Sequence, residues 1–235
     1  MKKTIALCAA LLACSSAFAA DTAVATESSY AVTAEFPYVS KYVFRGVKIA
    51  RDSFQPSVEV SSGEFYGGIW SNVPLRKEHD GGVSKEIDLY AGYTPKLTEN
   101  LSADVGLTYY WYPRVDGSDN DSLEVFGGLN LTLGNFTPSV YLYRDLDLDT
   151  TTLQTALGYS VPLKSLGTSL DLNVTFGSVF PDHAEKYCYY SAGVNVPYKL
   201  SDAVKLNFGL TYTENDLDHG KDPGLWGTAS IAVKF

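Results

Sequence analysis

Along most of the chain, apolar and polar residues alternate one by one. In "VKLNFGLTY", Val204, Leu206, Phe208, Leu210 and Tyr212 share one face, while Lys205, Asn207, Gly209 and Thr211 share the other. "LSADVGLTYYW" sets Leu101, Ala103, Val105, Leu107, Tyr109 and Trp111 against Ser102, Asp104, Gly106, Thr108 and Tyr110. "LEVFGGLNLTL" and "LDLNVTF" follow the same rule, and so do the final residues, with Ile231, Val233 and Phe235 opposite Ser230, Ala232 and Lys234. A period of two marks a strand with one apolar and one polar face. No stretch of comparable length beyond the first twenty residues has a helical period.

This periodicity predicts twelve strands, near 30–46, 54–61, 65–72, 85–93, 101–112, 122–133, 135–144, 151–161, 168–178, 187–197, 203–213 and 225–235. Their connectors alternate in character. "SGE", "TPKLTEN", Gly134, "PLKSLG" and "YKLSD" are short; "VKIARDS", "VPLRKEHDGGVS", "PRVDGSDND", "DLDLDT", "VFPDHAEK" and "ENDLDHGKDPG" are mostly longer and charged. An even strand count with short turns at one end and longer loops at the other is the pattern of a transmembrane barrel. The expected fold is therefore all-β, an up-and-down antiparallel transmembrane β-barrel of about twelve strands. A secreted β-sandwich also alternates inward and outward residues, but its strands run about five or six residues, whereas a strand that crosses a bilayer at a tilt needs about nine to eleven.

The polar faces carry acids within the strands: Glu35, Glu59, Asp88, Asp104, Glu124 and Asp171. With Arg45, Lys205, Tyr110 and Tyr141 they form the expected lumen lining, and Tyr90, Tyr112 and Tyr143 also point inward by parity. Aromatic residues near strand ends (Tyr42, Phe44, Tyr93, Tyr109, Trp111, Phe136, Tyr159, Phe176, Phe180 and Tyr212) are placed as interfacial girdles. Arg45 reads in two ways: as a charge that neutralises lumenal carboxylates, or as a constriction residue that sets selectivity.

The start of the chain, "MKKTIALCAALLACSSAFAA", has the charged, apolar and small-residue order of a secretory signal. Residues 1–20 are expected to be cleaved after Ala19 or Ala20, leaving 21–235 as one barrel domain; a lipoprotein signal ending at Cys14 is the alternative. Cleavage would leave Cys188 as the one cysteine and no internal disulfide. The chain has 18 basic and 27 acidic residues, a net charge of −9. That balance excludes electrostatic binding of nucleic acid. No apolar run after the signal approaches the roughly 18–20 residues of a membrane helix, so only a closed barrel remains as a spanning structure.

The N-terminal strands carry a further signature. "SKYVFRGV" presents Ser40, Tyr42, Arg45 and Gly46; "FQPSVEV" follows; "GEFYGGIWSNV" presents Gly63, Phe65, Tyr66, Gly68, Trp70, Ser71 and Asn72. This set resembles the TorF-like porins, a bacterial family also called Gcw_chp. The resemblance implies porin-like transport in the outer membrane, names no substrate and adds no catalytic residue.

Other chemistry is thinly represented. His79, His183 and His219 each sit beside acids in the expected outer loops, where a His–Asp pair could activate water. "DGSDND" and "DLDLD" hold closely spaced carboxylates without the ligand order of an EF-hand. There is no glycine loop for a phosphate and no set of metal-ligand cysteines, so neither cofactor nor metal is expected. The sequence thus predicts a narrow passive channel with weak cation preference; the alternatives are a plugged structural or adhesive barrel and a rim hydrolase. Its expected partners are outer-membrane lipid and lipopolysaccharide, small solutes, and the barrel-assembly machinery, which would read Phe235 on the last strand.

Overall fold

A computed structural model of the chain describes residues 30–76, 85–113, 121–217 and 222–235. The expected signal at 1–20, His79 and His219 lie outside the described residues. The strands are β1 (Ala31–Glu35), β2 (Tyr38–Phe44), β3 (Val47–Phe54), β4 (Ser57–Ser62), β5 (Phe65–Pro74), β6 (Glu86–Tyr93), β7 (Leu101–Trp111), β8 (Ser122–Leu131), β9 (Phe136–Asp145), β10 (Thr150–Leu163), β11 (Thr168–Pro181), β12 (Tyr187–Lys199), β13 (Val204–Asn215) and β14 (Gly224–Lys234). β1 with β2 forms one stave, broken at Pro37, and β3 with β4 forms the next, broken at Pro56. Proline has no N–H to give the ladder, which is why the breaks fall there. From β5 to β14 each strand is a stave of its own, and the sheet closes as a twelve-stave antiparallel barrel. At the seam Thr33 lies opposite Lys234 and Ala34 opposite Val233, and the Phe235 N–H donates to the Val32 carbonyl at 2.9 Å.

The alternating faces sort as expected. Val105, Leu107, Leu142, Leu157, Val174 and Leu210 stand exposed on the outside, as do Tyr109, Trp111, Phe136, Phe176, Phe180 and Tyr212. An apolar exterior that encircles the molecule is far larger than a soluble monomer exposes, and it suits contact with lipid. Inside, tyrosines lie across facing glycines to reach polar partners two staves away. Tyr90 is paired with Gly68 and Gly68 with Glu59, and the Tyr90 hydroxyl donates to Glu59 at 3.2 Å. Tyr141, Gly128 and Asp104 repeat the arrangement, with a 3.0 Å bond; Tyr189 reaches Gln154 over Gly177 in the same way. A Cβ at Gly128 would sit 2.4 Å from the Tyr141 ring, so only glycine lets the ring lie flat against the wall.

Two expectations need correction. "VKIARDS" is not an outer loop: residues 47–53 belong to β3, and the connector after the first stave is a two-residue turn at Arg45 and Gly46. Tyr42 and Phe44 are not girdle residues, being only 7% and 4% exposed within an interior cluster that includes Val39, Ala50, Trp70 and Tyr110. The parity count failed there because β2 leaves the wall after Tyr38 and Val39, its last rungs with β14, so that both faces of the hairpin lie inside the barrel and neither faces lipid.

Gly128→Val is expected to destabilise the barrel by about 1–3 kcal/mol through overpacking against Tyr141. Denaturant unfolding of the refolded protein in detergent checks this; an unchanged midpoint would contradict the packing described.

Candidate pore constriction at the loop end

The β2–β3 hairpin does not stay in the wall. β14 meets β2 only at Tyr38 and Val39, and β5 meets β3 only at Ser53 and Phe54. Beyond those rungs the hairpin pairs with itself, and its tip reaches residues of distant staves. Arg45 and Gly46 have φ of +42° and +82°. Positive φ at both central residues is the signature of a type I′ hairpin turn. A Cβ on Gly46 would lie 2.4 Å from the Tyr189 Cβ on β12, and the Gly46 carbonyl accepts the Asn215 side-chain amide from β13 at 2.6 Å. Glycine is required here both for the turn and for the close approach.

Arg45 crosses the lumen to Glu124 on β8. Its Nη1 is 2.8 Å from Oε2, and its Nη2 donates to Oε1 at 3.0 Å. Only the second contact has hydrogen-bond geometry, and the opposite charges of the two groups strengthen it. The guanidinium lies 4.7 Å from the ring centroids of both Phe44 and Tyr143. Tyr110 adds its hydroxyl to Glu124 Oε1 at 3.1 Å. Around this pair, Tyr42 and Tyr112 both donate to Glu86 at 3.0 Å, and Tyr42 packs on Trp70 with ring centroids 5.5 Å apart. Asp145 accepts from Ser122 and from the backbone of Asp147 and Leu148, so this acid of the "DLDLD" turn is committed to the fold. Beside the hairpin remains a cavity of about 30 Å³ lined by Arg45, Tyr143, Gln154, Tyr189, Thr213 and Trp226, room for a water but not for a solute.

The ten residues expected to line the lumen divide by depth. Arg45, Asp88, Tyr110 and Glu124 are buried at the loop end. Glu35, Glu59, Asp104, Tyr141, Asp171 and Lys205 are half-buried. Glu35 feels the charges of Lys205 and Glu59, Asp104 accepts from both Tyr66 and Tyr141 at 3.0 Å, and Asp171 accepts from Ser160 at 2.6 Å. Asp88 is fully buried, flanked by the charges of Glu86 and Glu124, and neither carboxylate oxygen has a hydrogen-bond partner among the described residues. Glu86 and Asn72 were reachable by the same parity as Asp88 and Trp70; Asn215 and Tyr189 become site residues only because the hairpin comes to them. Phe235 is 77% exposed. His183 is also exposed, with Nε2 4.0 Å from Asp149 Oδ2.

Glu124→Gln leaves the buried Arg45 charge uncompensated and is expected to destabilise the barrel by about 3–5 kcal/mol. Asp88→Asn removes a carboxylate that has no donor and is expected to be neutral or stabilising. Unfolding midpoints of the two variants, measured side by side, check both; the reverse ranking would contradict the assignment.

Solved structures with the same architecture are outer-membrane proteins. The KdgM porin superposes with a TM-score of 0.56 at 10% identity, covering 86% of this chain and 99% of that one. The COG4313 outer membrane channel from Pseudomonas putida F1 gives 0.53 at 13% identity, covering 88% and 95%. The NanC porin gives 0.52 at 13% identity, covering 87% and 98%. At such identities the likeness establishes the fold. No curated protein matches the chain in sequence. The model of Gcw_chp, described as a bacterial protein of unknown function, matches residues 23–221, and the chain belongs to that family.

Proposed function

We propose that this protein is an outer-membrane, porin-like channel for passive diffusion of small solutes, narrowed at its outer mouth by the β2–β3 hairpin. The observation that carries this reading is the closed barrel with an apolar exterior and, below the hairpin, an interior lined by half-buried polar residues. The porin fold of the structural neighbours supports it, as does the TorF-like reading of the N-terminal signature. Export would use residues 1–20 as a signal, with the longer loops facing outward in lipopolysaccharide. The last strand, ending at Phe235, would be the part offered to the assembly machinery. In the lower lumen Glu35, Glu59, Asp104 and Asp171 outnumber Lys205, which favours a weak cation preference. This reading is one of transport and assigns no residue a catalytic role.

A second reading, a barrel that does not conduct, is favoured by one observation: the small cavity beside Arg45. Planar-bilayer recording under a salt gradient separates the two. The channel reading expects small conductance steps with a cation-biased reversal potential, and steps several times larger when Arg45→Ala and Glu124→Ala are combined. Silence of both proteins at high loading would contradict the channel, and an anion-biased reversal potential would contradict the selectivity.

A further inference from the structure

The acids of the lumen differ in exposure with depth. Glu35, Glu59, Asp104 and Asp171 remain half-buried, whereas Glu86, Asp88 and Glu124, nearer the loop end, are only 2%, 0% and 1% exposed. The hairpin accounts for the difference. Its Tyr42 packs on Trp70 with ring centroids 5.5 Å apart, donates to Glu86 at 3.0 Å and feels the charge of Asp88. Trp70 and Tyr110 are the ladder neighbours of Asp88 on either side. The Asp88 carboxyl is thus bounded by three aromatic residues of one interior cluster, and the hairpin carries one of them.

Asp88 differs from the acids around it in its bonding. Glu86 accepts from Tyr42 and Tyr112, and Glu124 accepts from Arg45 and Tyr110. Neither oxygen of Asp88 has a hydrogen-bond partner among the described residues. The titratable groups that face it are Glu86 on its own strand, Tyr110 and Tyr112 on β7, Glu124 on β8, and Tyr42 and Arg45 on the hairpin; β5 presents the neutral Trp70. The charges it feels, those of Glu86 and Glu124, have its own sign. Burying an ionised carboxyl without donor or counter-charge is costly, and burying the neutral acid costs far less. Docking of the hairpin is therefore linked to a proton on Asp88, which the withdrawn hairpin would leave to water. In water an aspartate gives up that proton above about pH 4, and each further pH unit then favours withdrawal by up to about tenfold.

We propose that Asp88 is a proton-operated catch on the β2–β3 hairpin: as the neutral acid it lets the hairpin lie across the lumen, and as the carboxylate it favours the hairpin's withdrawal. The barrel therefore narrows in acid surroundings and widens as pH rises. Protonation of Glu124 acts in the opposite sense, because it removes the charge that Arg45 meets, so the direction of the pH response tells the two groups apart. The catch governs where the hairpin lies, and it rests on the channel reading only for its effect on conductance.

The test follows amide hydrogen exchange of the hairpin in the full barrel in detergent, from about pH 5 to about pH 8, a range below that of tyrosine ionisation. Rates are divided by those of an unstructured peptide of the same sequence, which removes the intrinsic pH dependence of exchange and leaves the opening equilibrium. That equilibrium is expected to rise by up to about tenfold per pH unit in the native protein. It is expected to stay flat in Asp88→Asn and in Asp88→Ala, neither of which has a proton to release. Heat-dependent gel mobility shows that each variant is folded, and the amides of β10 to β12 serve as a wall that does not respond. A flat native profile, opening that grows toward acid, or a slope that persists in either folded variant would overturn the catch. In planar-bilayer recording, larger steps are expected to become more frequent at the higher pH in the native protein and not in Asp88→Asn. Silence there beside a sloping exchange profile would contradict the channel and still support the catch, whereas conduction beside a flat profile would overturn the catch alone.

Discussion

The loop end of this barrel is organised around one ion pair. Arg45, carried inward on a two-residue turn, meets Glu124 on the opposite wall, and both are almost completely removed from solvent. A buried pair of this kind adds little net stability over an apolar alternative, because desolvation offsets most of the Coulomb attraction. Its effect is on arrangement: neither charge can be left alone, so the hairpin must remain where the two can meet. Phe44 and Tyr143 flank the guanidinium, Tyr110 adds a second donor to Glu124 Oε1, and Asn215 fixes the turn's carbonyl. The small cavity and the loss of pairing to β14 and β5 follow from that placement.

The lumen below is built on a different rule. There, tyrosines lie over glycines and bond to acids two staves away, leaving the residues half-exposed. Those rungs brace the wall from stave to stave, whereas the hairpin lies inside the wall without belonging to it. A wall of twelve staves is intermediate between barrels filled by their own side chains and those with wide channels, which is the size at which one inserted hairpin can decide the outcome.

Much of this was legible in the chain. Strict alternation, twelve segments and unequal connectors are enough to specify a closed antiparallel barrel, because lipid contact outside and polar contact inside impose the period of two on every stave. Ten lining candidates could be named from the sequence; Arg45, Asp88, Tyr110 and Glu124 are buried and the other six half-buried. The hairpin was not legible in that way. Parity assumes that a strand remains in the wall, so it placed Tyr42 and Phe44 toward lipid and put Arg45 on a stave. The physical hints lay elsewhere: Pro37 and Pro56 bracket the segment that leaves the sheet, and Arg-Gly supplies a turn with glycine at its second position. Nothing in "VKIARDS" distinguishes a charged loop from a strand that has turned inward, since the contacts that hold the hairpin's tip, Arg45 to Glu124 and Asn215 to Gly46, join residues 79 and 169 positions apart.

A double-mutant cycle on Arg45 and Glu124, using alanine at each site and both together, tests the central claim most directly. Measured as unfolding free energies in detergent, a direct buried ion pair is expected to give a coupling of about 1.5 kcal/mol or more. Additivity within about 0.5 kcal/mol would mean that the two residues do not meet, and the inward hairpin would have to be abandoned.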